Sequence, residues 1–348
     1  MGMRDSLLNV LRRVGKPGEL LNAEDGALIL VLPYGGRVLG LYAAENDENF
    51  LWTHPALEAV DAAHAFFSSD AWHNSGGDRT WLAPEADFFL PKYPETRVYV
   101  QPRQLDPGSY VCRRRLGAID LENRLALRSS RTRQEVTLRI IRSVEPAANP
   151  LRNEQHLAAL ENLEFAGYTL HTSLEILEGD SGNGIGLWSL LQLPQGGEML
   201  IPTWSRAEPR VYFGQIPAGD LAIEERLIRY ALRAKGEQKI GVRALAATGR
   251  AGYLRTSGAK ASLVVRNFTV NPSGLYADVA WDDPADLGYA VQACNVNSQW
   301  GAFGELEYHV PAIGGPSGRT RCEDTSRVWA FRGGVESIRA LAHLLLGA

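Results

Sequence analysis

The chain has 348 residues, of which 45% are hydrophobic and 22% charged, and a formal net charge of −4. This is the balance of a globular protein with a sizeable core, and it lacks the basic excess that nucleic acid or an anionic membrane surface would select. The three cysteines, Cys112, Cys294 and Cys322, lie too far apart for a metal-ligand spacing and are too few for a disulfide framework; they indicate a reducing, cytoplasmic setting.

Residues 5–14 bring Leu7, Leu8, Val10 and Leu11 near helical spacing and then meet Gly15 and Pro17. This predicts a helix inside an N-terminal helical segment, residues 1–26. The same stretch has no continuous apolar core of the signal-peptide kind. No apolar run approaches the length of a membrane-spanning helix. From residue 27 to 348 the chain reads as a single domain. Strands are predicted at 27–32 and 37–42, across a Tyr34-Gly35-Gly36 turn. Others follow at 97–101, 110–116, 124–129, 134–144, 168–177, 198–202, 238–243, 252–256, 261–270, 276–280, 289–294, 305–310 and 326–331. Most are short and bounded by Gly, Pro, Asp or Asn. Short helices are predicted at 55–67 and 153–163, and a longer one at 335–346, where Val335, Ile338, Leu341, Ala342 and Leu345 form one stripe. The arginine clusters at 113–115 and 128–133 read as solvated strand faces. Strand after strand without regular βα alternation excludes Rossmann and TIM patterns. The predicted fold is all-β: a large antiparallel β-sandwich with a few short helices.

Three patches in order resemble one superfamily. The first is Gly35-Gly36-Arg37-Val38-Leu39-Gly40-Leu41 followed by Asn49-Phe50-Leu51-Trp52. The second is Trp72-His73-Asn74-Ser75-Gly76-Gly77-Asp78-Arg79-Thr80-Trp81-Leu82-Ala83-Pro84-Glu85. The third joins Leu187-Trp188-Ser189-Leu190 to Gly196-Gly197-Glu198-Met199-Leu200-Ile201-Pro202. Together they resemble the galactose mutarotase-like (aldose 1-epimerase-like) superfamily, and in particular its uncharacterised bacterial members. The resemblance implies the supersandwich version of the fold and a carbohydrate ligand. Gly304-Glu305-Leu306-Glu307-Tyr308-His309-Val310 falls where the epimerases carry their catalytic glutamate. Where those enzymes carry a second histidine, this chain reads Leu187-Trp188-Ser189-Leu190. A tryptophan stacks on a sugar face but offers no useful acid.

Glu305-x-Glu307-x-His309 is the strongest chemical feature. On a strand these three side chains share one face, opposite Leu306, Tyr308 and Val310. The polar face is either solvated or the floor of a cleft. In a cleft, two shielded carboxylates would push one pKa upward and so divide into an acid and a base. With His309 they would also suit a divalent metal. His73 suits proton exchange with a sugar oxygen, and Arg79 suits anchoring of hydroxyls or anions; the alternative is a tight turn with an Asp78–Arg79 ion pair. His171 alternates with Thr169 and Ser173 on a polar strand face, as a cleft residue or a structural one. Trp188, Trp204 and Trp300 are candidate stacking platforms, Trp81 is either a core residue or a recognition residue, and Gln292 and Asn295 are candidate readers of hydroxyls. No phosphate loop, Ser-His-Asp order or CxxC pair supports other chemistry.

The expected function is therefore a carbohydrate-active enzyme working at or near the anomeric carbon. Glu305, Glu307, His73 and His171 are its candidate acids and bases. Arg79, Asn74, Asp78, Trp81, Trp188, Gln292 and His309 are its candidate substrate contacts. No cofactor is expected. The alternatives are a non-catalytic sugar-binding module, or a metal-assisted lyase or hydrolase on the same fold.

Overall fold

The computed structural model describes residues 2–152 and 163–348. Two antiparallel sheets pack face to face. The nine-stranded sheet runs, in spatial order, Glu19–Asn22, Leu28–Leu32, Arg37–Tyr42, Asp78–Ala83, Gly186–Pro194, Gly301–His309, Val291–Ser298, Gly236–Val242 and Arg210–Phe213. The ten-stranded sheet runs Leu221–Ile223, Leu227–Leu232, Gly197–Pro202, Arg250–Ser257, Lys260–Asn267, Arg321–Gly334, Glu164–Gly179, Glu135–Pro146, Ala118–Arg128 and Val111–Arg115. The protein is thus the all-β sandwich that the strand pattern predicts.

Alternation explains the core. Leu187, Leu191, Leu193, Ile240, Ala293, Leu306 and Tyr308 from the first sheet meet Leu138, Ile140, Tyr168, Leu170, Met199, Tyr253 and Val328 from the second. Every second residue of the nine-stranded sheet therefore points away from this core, onto the sheet's outer face. One end of that outer face is closed by the helix Met3–Arg13 and the helix Val60–Ser68. Leu7, Val10, Leu11 and Ala63 pack there on Leu30, Leu32, Leu39 and Tyr42. The first 26 residues thus supply a covering helix and also the edge strand Glu19–Asn22, paired with Leu28–Leu32. The helix Val335–Leu346 covers the back of the other sheet through Ile338, Leu341, Ala342 and Leu346. No described helix is long and apolar enough to cross a membrane.

A charged knot sits between the sheets. Asp78 Oδ1 is 2.8 Å from Arg142 Nη2, and its Oδ2 is 3.1 Å from Arg266 Nη2 and accepts from the Tyr168 hydroxyl at 2.5 Å. Asp78 and both arginines are fully buried. The predicted pairing of Asp78 with Arg79 is therefore replaced. Adjacent residues of a strand point to opposite faces, so Asp78 enters the core and Arg79 the outer face.

Two predicted strands are irregular: 97–101 and 276–280 carry no ladder. The helix predicted at 153–163 lies, except for Leu163, outside the described residues. The helix predicted at 55–67 begins as a single turn, Pro55–Glu58, with the His54 Nδ1 accepting from the Ala56 amide.

Candidate active site

Strand register assembles the site in rows. Gln192, Glu305, Cys294 and Lys239 are successive partners across four neighbouring strands. In the next row Arg79, Leu190, Glu307 and Gln292 are aligned, and beyond it Trp81, Trp188 and His309. All of these side chains project onto the outer face. There Arg79, Trp81, Trp188, Leu190, Lys239, Cys294, Glu305 and Glu307 form the floor of a cleft of about 190 Å³, whose aromatic walls include Trp72, Tyr99, Phe213, Trp281, Trp300 and Phe303. This is smaller than the roughly 300–1,000 Å³ of drug-sized pockets and suits one small ligand.

The floor is ion-paired. Glu305 Oε1 lies 2.8 Å from Arg79 Nη2 and accepts from Gln192 Nε2 at 3.0 Å. Glu307 Oε2 lies 3.1 Å from Lys239 Nζ and accepts from Trp188 Nε1 at 2.7 Å. Glu307 Oε1 is buried without a partner. Burial pushes the Glu307 carboxyl up to about 7, against the pull of Lys239 and with help from Glu305. Lys239 stays an ammonium: burial opposes its charge, but Glu307, Glu85 and Asp278 more than restore it. A third carboxyl, Glu85, accepts from Tyr99 at 2.5 Å and from Trp281 Nε1 at 3.1 Å, and burial raises it as well.

Of the residues singled out in the sequence, the cleft brings together Glu305, Glu307, Arg79, Trp81, Trp188 and Trp300. His309 shares the strand face of Glu305 and Glu307 but lies behind Trp188. The two rings stack with centroids 5.5 Å apart and planes at 17°. Burial pushes His309 down to about 3, so it is a neutral, apolar-packed imidazole. Gln292 is also behind the floor, donating to Tyr212 and Asp278 at 2.8 Å each. Asn295 is buried and donates to Gln238 Oε1 at 2.7 Å, and Trp204 is an exposed surface ring.

The expected histidine partners are elsewhere. His73 is buried among Tyr34, Phe66 and Phe67, with Nδ1 2.5 Å from the Tyr34 hydroxyl and Nε2 2.9 Å from the Ser69 carbonyl. Asn74 is buried beside Arg37, whose Nη1 is 3.5 Å from its Oδ1. Gly76 and Gly77 serve chain packing rather than ligand approach. Their φ values are +103° and +73°, and a Cβ on either would fall 2.2 Å from the carbonyl oxygen of Trp52 or Val38. His171 is on the ten-stranded sheet, exposed, bonded to Thr325 at 2.9 Å. His171→Ala is expected to leave ligand affinity and turnover unchanged and to shift stability by less than about 0.5 kcal/mol. A measured loss of turnover in that variant would contradict the location of the site.

Lys239, Tyr99, Trp281 and Phe213 belong to the cleft and escape the sequence reading, and Glu85 closes the second motif but is not among the candidate site residues. Lys239 leaves one trace, a lone lysine alternating with Ile240 and Val242 on a predicted strand. Tyr99 and Trp281 lie on irregular segments where periodicity carries no information. A metal would find one group of ligands among the described residues: Cys294 Sγ and an oxygen of each of Glu305 and Glu307 lie within 4.8 Å of one another. Arg79 and Lys239 already neutralise both carboxylates, and burial beside them raises the Cys294 thiol. The residues present therefore fit an ion-paired floor better than a metal centre, and His309 stands outside the group.

Fold and site together define an all-β sandwich with an acidic, aromatic-walled cleft on one sheet. The chain belongs to a family of unknown function, DUF6786, whose model matches residues 5–348. No curated protein matches it. Among solved structures it is similar to the GalM/aldose epimerase homologue from C. elegans, at 9% identity and TM-score 0.48, over 91% of this chain and 99% of that one. It is similar to galactose 1-epimerase from Lactobacillus acidophilus, at 11% identity and TM-score 0.44, over 91% and 94%. It is also similar to the Slr1438 protein from Synechocystis, at 11% identity and TM-score 0.46, over 91% and 95%.

Proposed function

We propose that the cleft binds a small carbohydrate and interconverts its anomers by acid–base chemistry between Glu305 and Glu307. The observation that carries this reading is Glu307 itself: a buried carboxyl on the cleft floor, raised to about 7, with Oε1 unpartnered and Glu305 beside it. The mutarotase-like motifs around Arg79, Trp188 and Glu305 support the same ligand class.

The anomeric hydroxyl and the ring oxygen share one carbon, so two carboxyl groups with oxygens within 4.8 Å of each other can serve both. Glu305, held by Arg79 and Gln192, takes the proton from the anomeric hydroxyl. Glu307 gives its proton to the ring oxygen as the bond from that oxygen to the anomeric carbon breaks. Rotation about the C1–C2 bond and the reverse transfers close the ring as the other anomer and return both protons. No histidine is required, and the proposed step uses no cofactor. Trp300 and Trp281 are available to stack on the apolar faces of the ring. The three thiols are free, which suits a reducing compartment, and we place the activity in the cytoplasm.

Binding at this cleft is tested by tryptophan fluorescence, since Trp72, Trp81, Trp188, Trp281 and Trp300 all line it. Titration with a monosaccharide panel is expected to give saturable quenching that is lost in Trp300→Ala. A flat response across the panel would contradict the reading.

A further inference from the structure

The cleft's charges do not balance. Glu85, Glu237, Glu305 and Glu307 line it against Arg79 and Lys239. Asp278 stands directly behind, its Oδ1 accepting from the Glu85 amide at 2.9 Å. Both cations are already ion-paired, Arg79 through Nη2 alone, with its Nε and Nη1 left without a partner. Arg79 is paired with Glu305 and lies over Trp81 and Trp72, with its Cζ 4.1 and 5.2 Å from the ring centroids. Lys239 is paired with Glu307 and lies 4.3 Å over Trp188. Glu85 is different. It is 4% exposed, and its oxygens accept from the neutral donors Tyr99 and Trp281. Among the described residues it has no cation within ion-pair distance. Burial raises the Glu85 carboxyl, and Lys239 offsets this only from beyond ion-pair distance, so a cation seated directly against Glu85 would favour its charged form. The wall beside it is formed by the rings of Tyr99, Phe213 and Trp281, whose π faces attract cations. The unpartnered Glu307 Oε1 on the same floor independently marks a place for ligand contact.

We propose that the cleft selects sugars carrying a free amine, seating the ammonium between Glu85 and the Tyr99 and Trp281 rings, and that it disfavours anionic sugars. This rests on the carbohydrate reading of the same cleft and names the charge class of its ligand. An ammonium supplies the missing counter-ion, whereas a uronate or sugar phosphate adds to the excess.

The test is a set of dissociation constants, read by tryptophan fluorescence below the pKa of the amines. The probes are D-glucosamine and D-galactosamine, their neutral parents D-glucose and D-galactose, and D-glucuronate and D-galacturonate. N-acetyl-D-glucosamine is the uncharged control for the substituent's bulk. At least one amino sugar is expected to bind about tenfold more tightly than its neutral parent, with the uronates weakest. In Glu85→Gln the ratio of amino-sugar to parent affinity, measured on the same variant, should fall to about one. The wild-type comparison decides the matter if that variant does not fold. Neutral sugars binding as well as amino sugars, or uronates binding best, would overturn this inference and leave the carbohydrate reading standing. Binding by no sugar of any charge would defeat both.

Discussion

Glu307→Gln is expected to slow anomer interconversion by about 10²–10⁴-fold while sugar affinity stays within about tenfold. The amide keeps the shape and the hydrogen bonds to the floor but has no proton to give to the ring oxygen. In the proposed step Glu307 is the acid, and burial holds it up to about 7. It is protonated and competent below that pH, and turnover should fall as pH rises through about 7. In Glu307→Gln the small residual rate should lose this alkaline limb. Single-turnover rates and a pH–rate profile check both points. A variant with unchanged turnover would remove Glu307 from the chemistry.

Asp78→Asn is expected to cost about 3–5 kcal/mol of folding stability, because it leaves Arg142 and Arg266 buried without their counter-ion. Breaking one member of a buried charge cluster is more damaging than never having had it, since the remaining charges cannot reach water. The loss should appear as a lower denaturant midpoint with an unchanged slope. A ligand-contacting role for Asp78 makes the opposite forecast: stability kept and sugar affinity lost.

These two residues show what strand alternation does and does not reveal. Alternation places Glu305 and Glu307 on one side of a strand and Leu306 and Tyr308 on the other, and the structure has them so. It also implies that Asp78 and Arg79 part company, which a motif reading that treats them as a unit overlooks. Alternation does not say which of a sandwich's four faces a residue occupies. His171 lies on the polar side of its strand, but that side is the outer face of the opposite sheet. The Gly76-Gly77 turn carries the same lesson for loops. Glycine pairs permit close approach, and here the approaching groups are backbone carbonyls of the protein itself. Lys239 and Glu85 come to the cleft through register across several strands and through a short helix, Glu85–Phe88. Relations of that kind lie between segments far apart in the chain, so no local pattern announces them.

Among the described residues no histidine lines the cleft, which differs from the glutamate–histidine pairing that the sequence led us to expect. In the proposed reaction the acid is a second glutamate, Glu307, whose proton affinity is raised by burial. The stack of His309 on Trp188 holds the indole whose Nε1 donates to Glu307, so this histidine acts on the floor from behind rather than on the ligand.

The proposed anomer interconversion by Glu305 and Glu307 is measured by NMR of freshly dissolved single-anomer sugars, amino sugars included, following anomer ratio and any new product with and without the wild-type protein. Faster approach to the ordinary anomeric equilibrium is expected for at least one sugar, with no other product formed. Equilibration at the uncatalysed rate for every sugar that binds, or the appearance of a cleaved or eliminated product instead, would contradict it.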